Sequence, residues 1–173
     1  MGRPERIRTG GIDMSIDTRV PDAAGGLPAP YGVDELAARE AIRELVAAYT
    51  HLGDSGRLDE MVELFEPDAT LDAFDRTYVG AEQIRGFFSG IVSDRSDAPR
   101  RSFVRHHIAN VTIDVDIDAG TATGASYWAV YSDDGFESSG RYRDRYRRSN
   151  EGRWRFQVRK IRRDRAREEQ GRA

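Results

Sequence analysis

Beyond Arg101, apolar and polar residues alternate with a period of two, and three turn signals divide this stretch into four segments. Asp118-Ala119-Gly120, Asp133-Asp134-Gly135 and Ser149 to Gly152 separate Val104–Asp118, Thr121–Ser132, Phe136–Arg148 and Arg153–Arg163. Asp-Gly and Asn-x-Gly connections between alternating segments predict hairpins, so this half of the chain reads as a four-strand antiparallel meander. Within Gly140–Arg148 the alternation is sharp. Tyr142 and Tyr146 fall on one face, and Arg141, Arg143, Arg145 and Arg147 fall on the other. The arginine face must reach solvent, a partner subunit or acidic groups. The other face needs a cover of helices.

Those helices are predicted upstream. Asp34 is the expected N-cap of a first helix, with Glu35 in the first turn. Leu36, Ile42, Leu45, Val46, Tyr49 and Leu52 follow helical spacing and define one apolar stripe, which Gly53 and Gly56 interrupt around Asp54. A short second helix turns Leu58, Met61, Val62, Leu64 and Phe65 inward and ends at Pro67-Asp68. Residues 69–73 read as a short strand, and Gly80 leads into a third helix carrying Ile84, Phe87, Phe88 and Ile91. Helices followed by a meander is the order of an α+β domain. If the sheet curls around the helices, the space between them becomes a pocket. Residues 1–33 hold four of the six prolines and few large apolar groups. They are expected to be disordered, with one domain over 34–163 and a peripheral tail over 164–173.

Composition narrows the functional classes. A net charge of -3 gives no general attraction to nucleic acid. The absence of cysteine removes disulfides, thiolate metal ligands and cysteine nucleophiles. No apolar run is long enough to span a membrane, and no apolar signal region follows the charged start, so a cytoplasmic location is expected. Phosphate-cradling Gly-rich loops, a Gly-x-Ser-x-Gly elbow and metal-ligand spacings are missing, so neither a cofactor nor a metal is expected.

Several local strings then fall in a telling order. They are Ala41-Ile42-Arg43-Glu44-Leu45, the Tyr49…Asp54 pair, Leu64-Phe65 before Pro67-Asp68-Ala69, and Gly80 before the third helix. Arg105-His106 followed by Asn110-Val111, Gly140-Arg141-Tyr142 before Asp144, and Gly152-Arg153-Trp154 complete the series. Together they resemble the SnoaL-like branch of the NTF2-like superfamily, over residues 34–163. The resemblance implies a cystatin-like cone of three helices on a curved sheet. It also implies a range of roles, from scytalone dehydratase, bile-acid dehydratase, dehydrochlorinase and polyketide cyclase to dioxygenase small subunits and plain binding proteins. Fold alone does not choose among these.

In the dehydratase and dehydrochlorinase members an aspartate after the first helix meets a histidine from the first long strand. Those positions fall on Asp54 and His106. An imidazole can take a proton from carbon near neutral pH, and a carboxylate on its other nitrogen fixes the tautomer. Tyr49 lies where the bile-acid dehydratase is similar in placing a tyrosine, and is the expected acid. Tyr127 lies where the dehydratases carry a second polar pocket residue. Phe74, Phe87, Phe88, Trp128 and Tyr142 are the expected apolar walls, although aromatics at such positions are more often ordinary core than ligand contacts. Strand parity puts His107, not His106, on the face of Val111, Ile113, Val115 and Ile117. A bulge near Ala109-Asn110 would reverse that, and His107 stays in reserve. His51 reads as a solvated histidine, and Asp144 as half of a structural ion pair with Arg105 or Arg148.

The resulting expectation is a cofactor-free lyase or isomerase, of dehydratase or cyclase type. It would act on a hydrophobic polycyclic small molecule, as a homo-oligomer (dimer or trimer). The alternatives are a ligand-binding protein without chemistry, and a structural subunit.

Overall fold

The computed structural model describes residues 30–96 and 103–167. The first twenty-nine positions of the expected N-terminal disorder, and the tail beyond Arg167, lie outside them. Helix α1 (Val33–Asp54) and the short α2 (Leu58–Val62) precede strand β1 (Phe65–Ala73), β2 (Arg76–Val79) and helix α3 (Gly80–Ser96). Strands β3 (Val104–Asp116), β4 (Thr121–Ser132), β5 (Gly135–Arg148) and β6 (Trp154–Ala166) follow. The expected meander is present. It is extended into a six-stranded sheet of order β2-β1-β6-β5-β4-β3, in which β1 pairs β6 in parallel and the other pairs are antiparallel.

Three local expectations are corrected. The N-cap of α1 is Gly32 without a side-chain cap, and Asp34 stands in the first turn, where its charge complements the helix dipole. Leu36 is 51% exposed and leaves the stripe that buries Ala38, Ile42, Leu45, Val46 and Tyr49. Phe65 does not end α2; it opens β1, whose buried residues are Phe65, Ala69, Leu71 and Ala73. Pro67 lies where the β1–β6 register shifts between Phe65 and Thr70. A proline lacks the donor a ladder needs, so its neighbourhood is left out of regular pairing. The hairpin strand β2 was not expected at all; only four residues long, it has too little alternation to read.

The inner face of the sheet is filled. Tyr49 of α1 makes edge contacts with Phe65, Phe88, Tyr142 and Phe156, at ring-centroid distances of 5.8–6.1 Å. Such aromatic packing dominates core energetics. Gly140 allows one further layer. A Cβ there would lie 2.0 Å from the Arg162 carbonyl oxygen and 2.6 Å from the Trp128 ring, so only glycine lets Trp128 cross β5 and stack on Tyr142.

Two polar ties set how α1 lies along β3. The buried Arg39 donates to the Ile113 carbonyl, and its other nitrogens hold Glu35 Oε1 at 2.7 and 2.9 Å. At the far end of the helix, Asp54 bonds His106. Fifteen helical residues rise about 22 Å, and seven strand residues span about 23 Å. The two ties therefore match in length and pin helix to strand, antiparallel, at both ends.

Candidate active site

The strand β3 changes phase within its own length. Val104, His106 and Ile108 turn inward before the interruption, and Val111, Ile113 and Val115 after it. The β3–β4 register shifts between Ala109 and Thr112, and Asn110 has φ 54°, a left-handed conformation that asparagine tolerates. The bulge thus stands where the parity argument required one. His106 faces the helix, while His107 is exposed on the other side, edge-on to Tyr131 at 5.2 Å.

Asp54 and His106 form a chelate. Asp54 Oδ1 lies 2.5 Å from His106 Nδ1, and Oδ2 accepts the His106 backbone N–H at 2.9 Å. One carboxylate therefore fixes both the ring and the main chain that carries it. Because the carboxylate accepts, the neutral ring holds its proton on Nδ1, and Nε2 keeps the basic lone pair. The side chains are 9% and 22% exposed, Asp54 nearly sealed and His106 open at one edge. A cavity of about 460 Å³ meets them, lined also by Thr50, His51, Ser55, Phe103 and Arg105.

A sequence model of the SnoaL-like domain matches residues 34–160. The chain belongs to the SnoaL-like family. Solved structures agree in fold. A protein of unknown function with a cystatin-like fold from Nostoc punctiforme is 25% identical, with a TM-score of 0.63 over 73% of this chain and 90% of that one. An NTF2-like protein from Novosphingobium aromaticivorans is 25% identical, with a TM-score of 0.61 over 77% and 90%. A provisionally assigned scytalone dehydratase from the same organism is 21% identical, with a TM-score of 0.63 over 81% and 97%. At that last level of identity the likeness concerns fold alone. No curated protein matches the chain significantly. The architecture of this SnoaL-like protein is accordingly the α+β, cystatin-like fold of NTF2-like proteins.

The other expected site residues are placed elsewhere. Tyr49 is 6% exposed inside the aromatic cluster and does not line the dyad cavity. Phe88, Trp128 and Tyr142 are buried core, and Phe87 packs on Phe88 and Tyr78 at 5.0 and 4.8 Å. Phe74 is 41% exposed in the β1–β2 turn with φ 58°. Tyr127 is 52% exposed on the outer face, because the pleat of β4 turns Trp128 and Val130 inward. The greasy chamber these residues were to form is instead packed ring on ring. A larger hollow of about 690 Å³ lies on the outer face, over Ala129 and Ser139 beside His107, Tyr127 and Tyr131. It contains neither member of the dyad, and size alone does not make it the reaction site.

Two groups were missed. His51 is exposed, as expected, but it also lines the dyad cavity from the last turn of α1, which was not foreseen. Arg159 lies at the centre of the core, wholly buried, with its guanidinium 4.1–4.2 Å from the ring centres of Tyr49, Tyr142 and Phe156. Its Nε and Nη2 donate to Asp144 at 3.0 and 2.9 Å, so Asp144 pairs with Arg159 and not with Arg105 or Arg148. The pairing was hidden because Arg159 sits in an arginine-rich strand next to a shift in the β5–β6 register between Arg145 and Tyr146, which alters the parity.

Electrostatics follow burial. Burial alone would lower the Arg159 pKa, but the Asp144 carboxylate outweighs it and the guanidinium is held more firmly charged than usual. Burial raises the Tyr49 phenol against the opposing pull of Arg159. Tyr142 is pushed well up by burial and then by Tyr49, with Asp54 adding to the rise. Tyr146, which donates to Asp144 at 3.0 Å, is raised well above its usual range by burial and by that carboxylate. These phenols stay protonated near neutrality and none can serve as a base. Among the described residues, no three His, Cys, Asp or Glu side chains cluster to hold a metal ion, and no helix is long and apolar enough to cross a membrane.

Proposed function

We propose that this SnoaL-like protein is a cofactor-free lyase or isomerase in which His106 removes a proton from carbon beside a carbonyl and Asp54 supports it. The observation that carries the reading is the Asp54 chelate of His106, which leaves Nε2 as the basic nitrogen of a ring lining a cavity. The carboxylate holds the productive tautomer and stabilises the imidazolium that forms, a division of labour that needs no metal or organic cofactor. The likeness in fold to the provisional scytalone dehydratase is consistent with a dehydration or a related cyclisation.

We infer a different acid from the one expected. Tyr49 and Tyr127 lie away from the dyad cavity, whereas Arg105 and His51 line it. Arg105 is a fixed cation suited to a developing enolate oxygen, and His51 can protonate a departing hydroxyl. A cavity of about 460 Å³ with this polar lining suits a compact ring bearing several oxygens. That is a more polar ligand than the hydrophobic polycycle expected from the sequence.

The half-reaction can be tested without knowing the natural substrate. A panel of cyclic ketones and β-hydroxyketones is incubated in deuterium oxide, and deuterium entry beside the carbonyl is followed by NMR. The wild type is expected to exchange at least one member, and His106→Ala to slow that exchange by about 10²- to 10⁴-fold. Equal exchange rates in both proteins would refute the role of His106.

A further inference from the structure

The hollow on the outer face is built by a regular pattern that the proposed chemistry does not use. On β4, Tyr127, Ala129 and Tyr131 face outward while Trp128 and Val130 face the core. The strand registers place His107 of β3 and Ser139 of β5 on either side of Ala129. Two tyrosines four positions apart thus stand about 13 Å from each other along the strand, with a methyl group as the floor between them. A polar residue flanks that floor on each side. The end walls are held in place. Tyr131 stands edge-on to His107 at 5.2 Å and to Phe136 at 5.9 Å. Tyr127 lies opposite Arg141, whose Nε and Nη2 both donate to Asp164 Oδ1, at 3.0 and 2.8 Å. The volume of about 690 Å³ falls within the ~300–1,000 Å³ of small-molecule sites.

We propose that this hollow binds a planar aromatic carboxylate of about two rings. The ring system follows from the walls. Tyr127 and Tyr131 offer aromatic contacts, and Ala109 and Ala129 leave the floor flat. The acid follows from the donors. Asp164 is the carboxylate that lines the hollow, and Arg141 already neutralises it. Arg165 lies opposite Ser139 on the next strand, is exposed, and has no ion-pair partner among the described residues. A guanidinium can only donate, and His107, Ser139 and the two phenols can each donate as well. Such a set is best completed by a negatively charged acceptor, whose hydrogen bonds are the strong ones. A cationic ligand would find the carboxylate of the hollow taken and a free guanidinium beside it.

The inference does not rest on the catalytic reading, since the hollow contains neither Asp54 nor His106. Its test titrates the full chain with naphthoate as the probe, by calorimetry and by NMR of the histidine rings. Naphthoate is expected to saturate a site and to shift the ring signals of His107 more than those of His106. Naphthylmethylammonium, with the same rings and the opposite charge, should bind about tenfold more weakly. Ala129→Leu fills the floor and should weaken naphthoate about tenfold. Arg165→Ala should weaken it about threefold to fivefold, as loss of an exposed charge contact does, and leave the ammonium probe no weaker. Circular dichroism confirms that both variants fold. The proposal is overturned by no saturable binding, a larger shift at His106, affinity indifferent to both substitutions, or a preference for the ammonium probe.

Discussion

Two carboxylates meet nitrogen bases beneath the same sheet, and they differ in what surrounds them. Asp144 and Arg159 are 1% and 0% exposed at the side chain, sealed by three aromatic rings. Asp54 and His106 are 9% and 22% exposed, at the lip of a cavity. In the first pair the guanidinium is held firmly charged by the carboxylate beside it. The second has a titratable ring and an edge that a ligand can reach. The contrast teaches that a buried ion pair is a structural commitment, whereas an imidazole 22% exposed beside a cavity is within reach of a ligand.

The comparison can be broken most forcefully from the core side. Asp144→Ala leaves a buried guanidinium without its counter-charge, and should cost about 3–5 kcal/mol of stability. Replacing both partners with apolar residues, Asp144→Leu with Arg159→Met, should recover most of that loss. Urea unfolding of the three proteins measures it. If Asp144→Ala unfolds at the wild-type midpoint, the pair is no structural commitment.

A smaller effect appears in alkali. Tyr142 and Tyr146 have pKa values raised by burial, so the folded state holds these protons more tightly than the unfolded chain. Their contribution is fully present below about pH 10 and is lost as the pH rises through the folded-state values, at up to about 1.4 kcal/mol per pH unit for each group. Unfolding midpoints measured from pH 8 to 11.5 should therefore be level at first and then fall. Tyr146→Phe should flatten the fall. A profile unchanged above pH 10 would mean that the core phenols ionise freely.

The meander and the three helices were legible in the sequence, because each rests on local signals, whereas the meeting of Asp54 with His106, 52 positions apart, was implied only by the resemblance to SnoaL-like proteins. Period-two alternation, Asp-Gly turns and the Gly53–Gly56 break act within a few residues. The phase of β3 could be argued only as a condition, since the bulge at Asn110 depends on pairing with β4. The filling of the interior was not legible. Whether Phe88, Trp128 and Tyr142 line a void or fill it depends on how closely α1 and α3 approach the sheet. Alternation also did not reveal that one arginine of β6 turns inward, because its neighbours Arg155, Arg162 and Arg163 do not share its burial. His51 was assigned to solvent from its helical angle and is exposed, but that angle did not show that the start of β3 stands beside the last turn of α1 and shares its cavity.

The central claim is that Asp54 holds the His106 ring with its proton on Nδ1 and its lone pair on Nε2. Nitrogen-15 NMR of the histidine side chains reads this directly, on the resting protein and without a substrate. At a pH where the ring is neutral, His106 should show a protonated Nδ1 and a bare Nε2, and Asp54→Asn should shift the proton toward Nε2. A wild-type ring protonated on Nε2, or a tautomer indifferent to Asp54→Asn, would contradict the account.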